Sequence, residues 1–450
     1  MRKKLEKVLP FFLLVLLLAG HLAWVLSYFE PACSSPDANG YFLQGRLMAE
    51  EGRTWFEPQS PVQYVGIHWL VTPGGKYYSR YPPGFPLLLA GAYKAGGPLA
   101  ALLVNPLLAT LTLLFLFLLC RPWIGTWPAL LAAFLFALNP IAARHALHAD
   151  SHTSVTAFLV AGLWLLDRWS RKPSRWGGFA AGLVLGFVPA IRYAESVAAV
   201  GVAAFLLLLL LREKRSPRGL GWMLLGAAVP AGALLVRNQL AFGSFLHTGY
   251  SLTGEQEGFG WGFFARHWHP YLESLLSTGA GLFFALGIAG LAGMAASRET
   301  RRPAVLLGGV ILPVTLVYMA YYWGAGQSAL RFFLPTLPLY FLLGTWLLLQ
   351  VSPSKAGLWA LGAAALLQAG MFLPAARASL ERESRNTAMA ARVEAWLEAH
   401  VPKGSVVIGE RRLQESLDFF GLWKLADRNV LLGAGPRRGR MLHPRASGGP

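Results

Sequence analysis

The chain carries a succession of apolar runs, each close to the roughly 20 residues a helix needs to cross a bilayer. They fall at 8–28, 98–120, 126–144, 152–168, 177–193, 196–211, 220–238, 277–296, 304–322, 332–350 and 356–373. Composition agrees, since 55% of the 450 residues are hydrophobic and 14% charged, with a mean hydropathy of +0.45. A soluble core is excluded, and the expected class is an all-α polytopic membrane protein with about eleven transmembrane helices. The first run is too long for a cleaved signal peptide, and no small-residue cleavage site precedes Cys33, so it is expected to be retained.

The net charge of +18 would point a soluble protein toward nucleic acid. Here the basic residues lie mostly between apolar runs, where they report orientation first. Arg2, Lys3, Lys4 and Lys7, then Arg121, the group Arg168 to Arg175, the group Arg212 to Arg218, Arg298 to Arg302 and Lys355 occupy every second short loop. That places the N-terminus in the cytoplasm and the long segments 29–97, 239–276 and everything after 374 on the extracytoplasmic side of a plasma or cell inner membrane. Cys33 and Cys120 then fall on opposite sides, which excludes a disulfide between them.

In the first long loop, Asp37 precedes an amphipathic stretch with Tyr41, Phe42, Leu43, Leu47 and Met48 on its apolar side, ending at Gly52. This reads as a helix lying along the membrane interface. A helix start favours an ionised carboxylate, which suits a base, but Asp before a helix also reads as a simple N-cap. Further on, Gly74-Gly-Lys76-Tyr77-Tyr-Ser-Arg80-Tyr81-Pro-Pro-Gly84 sets two cations four residues apart among three tyrosines, before a Pro-Pro-Gly turn. Lys76 and Arg80 can hold a lipid phosphate while Tyr77 and Tyr81 stack on a sugar. An ordinary interfacial belt of Tyr, Lys and Arg has the same composition.

These motifs, in this order, resemble the integral-membrane glycosyltransferases of the GT-C class, notably relatives of dolichyl-phosphate-mannose protein mannosyltransferases and lipid A aminoarabinose transferases. The resemblance extends over about residues 1–373. It includes Asn139-Pro-Ile with His148-Ala-Asp150, the run Gly182 to Arg192, the run Arg237 to Tyr250, and Arg331-Phe-Phe-Leu-Pro335. It implies a hexosyl- or pentosyltransferase that moves a sugar from a polyprenyl-phosphate donor to a lipid, glycan or protein acceptor, usually with inversion. It implies Asp37 as general base, Asp150 as a second acid, and Lys76, Arg80 and Arg331 at the donor phosphate. Family members often carry Asp-Glu where this chain reads Asp37-Ala38. No cofactor is expected, although His148 and His152 with Asp150 have the spacing from which a divalent metal site can be drawn.

Residues 250–271 place Tyr250 and Trp261 among other aromatics and glycines, one wall of a sugar cleft or an interfacial anchor. Segment 374–432 reads as a small extracytoplasmic α/β extension, with a helix over 384–400, a strand over 405–409 and a second helix over 413–425. Residues 433–450, rich in Gly, Pro and Arg, read as a disordered tail. The alternative from another class is a lipid or solute transporter or flippase. Such proteins place ionisable groups at the bilayer midplane, whereas here His21 is the main polar residue inside an apolar run.

Overall fold

The structure, a computed structural model, describes residues 2–409 other than 59, 61, 62, 64, 65, 67, 214–217, 323–328 and 352–354, together with 416, 417 and 424–427. The expected disordered tail 433–450 lies outside the described residues. The chain begins with α1 (Arg2–Leu26) and α2 (Pro36–Glu51), followed by strands β1 (Trp55–Phe56), β2 (Trp69–Val71) and β3 (Tyr77–Ser79). The helices α3 (Gly84–Leu102), α4 (Val104–Ile124), α5 (Thr126–Ala137), α6 (Pro140–Leu147), α7 (Ser151–Arg171) and α8 (Arg175–Ile191) come next. They continue through α9 (Ala199–Glu213), α10 (Arg218–Phe242), the short α11 (Gly249–Leu252) and α12 (Trp261–Ser274) to α13 (Leu282–Ala296) and α14 (Arg301–Met319). The last two helices are α15 (Leu337–Val351) and α16 (Lys355–His400), and strands β4 (Val406–Gly409) and β5 (Lys424–Asp427) pair in parallel.

Among the described residues six helices are long and apolar enough to cross a membrane, or eight if each of two bent pairs counts as one span. The chain is a multi-pass membrane protein. Every apolar run falls on a helix, but eleven full crossings do not follow from them. One reason is the bend of 64° between α5 and α6. There Asn139 caps α6, its Oδ1 accepting from the amides of Ile141 and Ala142 at 3.0 Å each, and Pro140 opens the new helix. A second bend, of 109°, separates the α12 segment from α13. Gly281 sits there at φ 58°, and the Gln368 side chain of α16 donates to the Ala280 carbonyl and accepts from the Leu282 amide. Other runs are shorter than a full span, such as α8 and residues 337–350 of α15. His21 is satisfied inside the bundle, its Nδ1 lying 2.9 Å from Thr110 Oγ1.

Four expectations change. The first loop is shorter than 29–97, because the apolar stretch after the Pro-Pro-Gly turn is already α3 from Gly84. Helix α2 ends at Gly52 as expected, with that glycine at φ 67°, but it does not lie on the surface. Its residues Ala38 to Gly45 and Leu47 are buried, largely against α3. The span 356–373 and the helix 384–400 are one continuous helix of 46 residues, about 70 Å long, running through Pro374. Good helix formers follow that proline, and Arg377 pairs with Glu381 one turn on at 2.8 Å. Strand β4 is where it was expected, whereas Lys424–Asp427 is a strand instead of the end of a second helix. Most of that expected helix lies outside the described residues.

Between α2 and α3 the chain forms a small antiparallel sheet of order β1-β3-β2, whose 2–3-residue strands are too short to announce themselves by alternation. The turn joining β2 to β3 closes with the Thr72 amide on Lys76 O at 2.8 Å, and Gly75 supplies the φ of 77° it needs. Residues Arg80 and Tyr81 therefore leave the sheet directly beside the start of α2.

Helices α8 and α10 touch at backbone distance. A Cβ at Gly182 would collide with the Met223 carbonyl, and one at Gly226 with the Phe179 carbonyl. Gly232 on α10 faces open space. Gly182→Ala is expected to destabilise the bundle by about 1–3 kcal/mol through overpacking, whereas Gly232→Ala leaves stability level or slightly higher. Thermal unfolding of the purified protein in detergent checks this, and equal melting temperatures for the two variants would count against the close packing.

Candidate active site

A cavity of about 540 Å³ opens where the first long loop, the α6–α7 corner, the end of α8, the α11 loop and the start of Arg331–Phe332 converge. Three carboxylates (Asp37, Asp150, Glu255) and three guanidinium groups (Arg80, Arg192, Arg331) line it, with several tyrosines between them. Volume and mixed lining suit a polar small-molecule site.

Asp37 is the second residue of α2. It is not the cap: Ser35 holds that place, its Oγ accepting from the Ala38 amide at 3.2 Å. The Asp37 side chain keeps 47% of its surface open, and that opening is the cavity itself, since protein atoms surround the site. Tyr81 donates its hydroxyl proton to Asp37 Oδ1 at 2.7 Å. Its proton being spent there, the Tyr81 oxygen receives a second bond from His68 Nδ1 at 3.0 Å, while His68 Nε2 stands 3.3 Å from Asp37. Burial opposes ionisation of Asp37, but His68, the Tyr81 hydroxyl, Arg331 and Arg80 outweigh it and hold the carboxyl below its ordinary value. Burial and the Asp37 charge push the Tyr81 hydroxyl well up, so it remains a donor.

Arg80 leaves β3 with its amide on the His68 carbonyl at 2.8 Å. The Ser79 carbonyl beside it receives a bond from the buried Arg237 at 2.7 Å. The Arg80 guanidinium lies 3.7 Å from Glu255 Oε2 and over the rings of Tyr81 and Tyr250. Glu255 also accepts from the Tyr321 hydroxyl. Gly249 makes this approach possible, for a Cβ there would overlap the Arg80 backbone. Across the cavity Arg192 is fully committed: it donates to Glu195 at 2.8 Å, to Tyr318 at 3.2 Å and to Ser151 at 3.3 Å. Ser151 in turn meets the Tyr41 hydroxyl at 2.9 Å, and the Tyr41 ring stacks on Tyr81 at 4.1 Å. Arg331 reaches the cavity from the opposite side, its guanidinium 4.6 Å from the Phe332 ring.

Asp150 caps α7, with Oδ1 accepting from the His152 amide at 3.0 Å and Oδ2 lying 2.7 Å from His145 Nδ1. Burial raises its pKa, but His145 and His152 reverse the effect and hold it well below the ordinary carboxylate value. Asp150 thus lines the cavity as a fixed charge.

Asp37, Arg80, Tyr81, Asp150, His152, Tyr250 and Arg331, all marked in the sequence, meet in the cavity. Four others do not line it. Lys76 sits in the hairpin turn with its ammonium 4.1 Å from the centre of the Trp55 ring, and Tyr77 stacks on Phe56. Trp261 is 77% exposed and stacks on Phe264. His148 turns away to Ser35 and Glu383, and among the described residues no group of three or more His, Cys, Asp or Glu side chains is placed to hold a metal. Tyr41, Arg192 and Tyr318 were missed. Arg192, a charge at the end of an apolar run, was the available signal.

Tyr81→Phe removes the strongest neutral donor to Asp37, so the protonation midpoint of that carboxyl should rise toward its ordinary value. Infrared difference spectra of the carboxyl C=O band across a pH titration measure it. An unchanged or lower midpoint would contradict the assignment.

The family described as dolichyl-phosphate-mannose-protein mannosyltransferase matches residues 80–237, which carry Arg80, Tyr81, Asp150 and Arg192. Among curated proteins none matches the sequence significantly. Solved structures match over nearly the whole chain. ArnT from Cupriavidus metallidurans, bound to undecaprenyl phosphate, is 15% identical with a TM-score of 0.62, over 93% of this chain and 87% of that one. The Archaeoglobus fulgidus oligosaccharyltransferase in its apo form is 14% identical with a TM-score of 0.60, over 94% of this chain. The chain spans 65% of that protein's length. A second structure from that organism, the oligosaccharyltransferase AglB with an inhibitory peptide and a dolichol-phosphate, matches with a TM-score of 0.51 at 14% identity. The resemblance carried by the sequence motifs is therefore borne out, and the chain has the fold of the GT-C membrane glycosyltransferases.

Proposed function

We propose that this protein is a membrane glycosyltransferase that moves a hexose or pentose from a polyprenyl-phosphate donor to an acceptor hydroxyl or amide on the extracytoplasmic side of the membrane. The observation that carries the reading is Asp37: an ionised carboxylate facing a cavity that it shares with Arg80 and Arg331. Matched structures were solved with undecaprenyl phosphate and with a dolichol-phosphate, which supports a prenyl-phosphate ligand for the same fold.

In this reading Asp37 accepts the proton of the acceptor as its oxygen or nitrogen attacks the anomeric carbon. The bond from that carbon to the phosphate oxygen breaks on the opposite face, and the configuration inverts. The carrier phosphate leaves as a stable anion, so cations substitute for a general acid. Arg80 and Arg331 take that role, and Lys76, stacked on Trp55 outside the cavity, does not. A phosphate bound between the two arginines also offsets two of the charges that hold the Asp37 pKa down. The base therefore strengthens when the donor is in place. Asp150, Arg192 and Glu195 hold the opposite wall. The transporter alternative loses support, because the charged groups cluster in one loop-walled cavity instead of along a path through the bundle.

Asp37→Asn, reconstituted in liposomes with a polyprenyl-phosphate sugar and an acceptor, is expected to lose transfer by about 10²–10⁴-fold while donor binding and melting temperature stay close to wild type. Wild-type turnover in that variant would overturn the assignment of the base. Arg80→Gln and Arg331→Gln should each weaken donor binding by about tenfold or more, as expected for a lost charge-assisted bond. Titration of the donor against tryptophan fluorescence measures this.

A further inference from the structure

Glu383 lies on α16, beyond the apolar part of that helix, and its side chain is 1% exposed. Its Oε1 accepts from Ser34 Oγ at 2.8 Å and lies 2.7 Å from His148 Nδ1. Its Oε2 accepts from Arg144 Nε at 3.3 Å. A carboxylate only accepts, so Nδ1 of His148 carries the proton. The far ring nitrogen, Nε2, meets Ser35 Oγ at 2.7 Å, and Ser35 caps α2 two residues before Asp37. The same histidine's carbonyl accepts from Asn105, whose amide also bonds the Asp150 carbonyl at 2.7 Å. One buried network thus joins a helix near the end of the chain to the cap of α2 and to the corner holding Asp150.

The order Ser–His–carboxylate is that of an activated serine nucleophile. Here Ser35 Oγ is engaged as a helix cap, accepting from an amide of the helix it starts, so the network fixes backbone. A second contact points the same way: Asn39, in the first turn of α2, donates to the Leu417 carbonyl at 3.0 Å, and Leu417 is buried. The chain beyond the last apolar run therefore grips the start of α2 at two places.

We propose that Glu383 is a positioning residue for the reaction, holding the first turn of α2, and with it the Asp37 carboxylate, through His148 and Ser35. The proposal rests on the reading of Asp37 as the base. The near-attack geometry such a base needs is sensitive to displacements of about 1 Å. A helix start with a loosened cap cannot hold that tolerance. Removing the carboxylate strips Ser34, His148 and Arg144 of their common acceptor inside the protein, whereas Gln keeps one acceptor oxygen for the histidine and the serine.

The test uses the full chain in lipid nanodiscs, with steady-state transfer from a polyprenyl-phosphate sugar and amide hydrogen exchange over residues 33–45. Glu383→Ala should lower kcat by about 10–100-fold with the donor KM little changed, and should speed exchange in that segment. Glu383→Gln should restore most of the kcat and the slow exchange. His148→Gln breaks the relay at its middle and should reproduce the Ala phenotype, which covers a failure of Glu383→Ala to fold. Wild-type kcat in Glu383→Ala or His148→Gln, or a loss of kcat with exchange unchanged, would overturn the proposal. If Asp37→Asn keeps full transfer, the base assignment fails on its own. The exchange measurements still decide whether Glu383 holds α2.

Discussion

An ionised carboxylate enclosed by protein is stable only if nearby donors and cations replace the water it has lost. Asp37 sits under that constraint, and much of the architecture around the cavity answers it. The three-stranded sheet exists between α2 and α3 to deliver Tyr81 and Arg80 to one side of the carboxylate, with His68 bridging behind. The α11 loop comes within backbone contact of Arg80 because Gly249 has no side chain, and it brings Tyr250 and Glu255 with it. Arg331 completes the set from the other end of the sequence.

The same compensation distributes the cations unequally. Arg192 has three partners of its own, one of them the Glu195 carboxylate at 2.8 Å, so it braces the wall. Arg80 faces Glu255 at a looser 3.7 Å. A strongly charged ligand oxygen, smaller and better placed than that carboxylate, can compete for it. On the proposed reading, a base with a low pKa is a weak one in the empty cavity, and it gains strength only as other anions take up the surrounding positive charge. Selectivity for the loaded state would then follow, in that reading, from electrostatics alone.

Much of this was legible in the residues. Asp37, the helix ending at Gly52, the Arg80-Tyr81 pair before Pro-Pro-Gly, Asp150 and Arg331 are local signals: a charge or a breaker where apolar pattern stops. What failed was discrimination between neighbours. Lys76 and Arg80 look equivalent four residues apart, but a hairpin turn leaves the first on Trp55 and carries the second into the cavity. Trp261 and Tyr250 stand eleven residues apart in the sequence, but Tyr250 lies on α11 at the cavity while Trp261 opens α12 and is exposed. Glu383 has no local signature, and the charge at Arg192 marks a position without revealing its role, since the partners that matter lie 235 and 41 residues away. The helix α16 reads as two pieces in the sequence, because the apolar run stops at 373 and the tail changes character, yet strong helix formers after Pro374 carry the turn through.

The cavity draws its lining from positions 37 to 332, and the Glu383 network reaches the cap of α2 from still further along. During synthesis, then, the acidic groups of the first loop emerge long before the arginine at 331 and the helix that fastens their backbone. Until the residues around 331 have left the ribosome, the growing protein carries the first-loop carboxylate with no finished pocket around it.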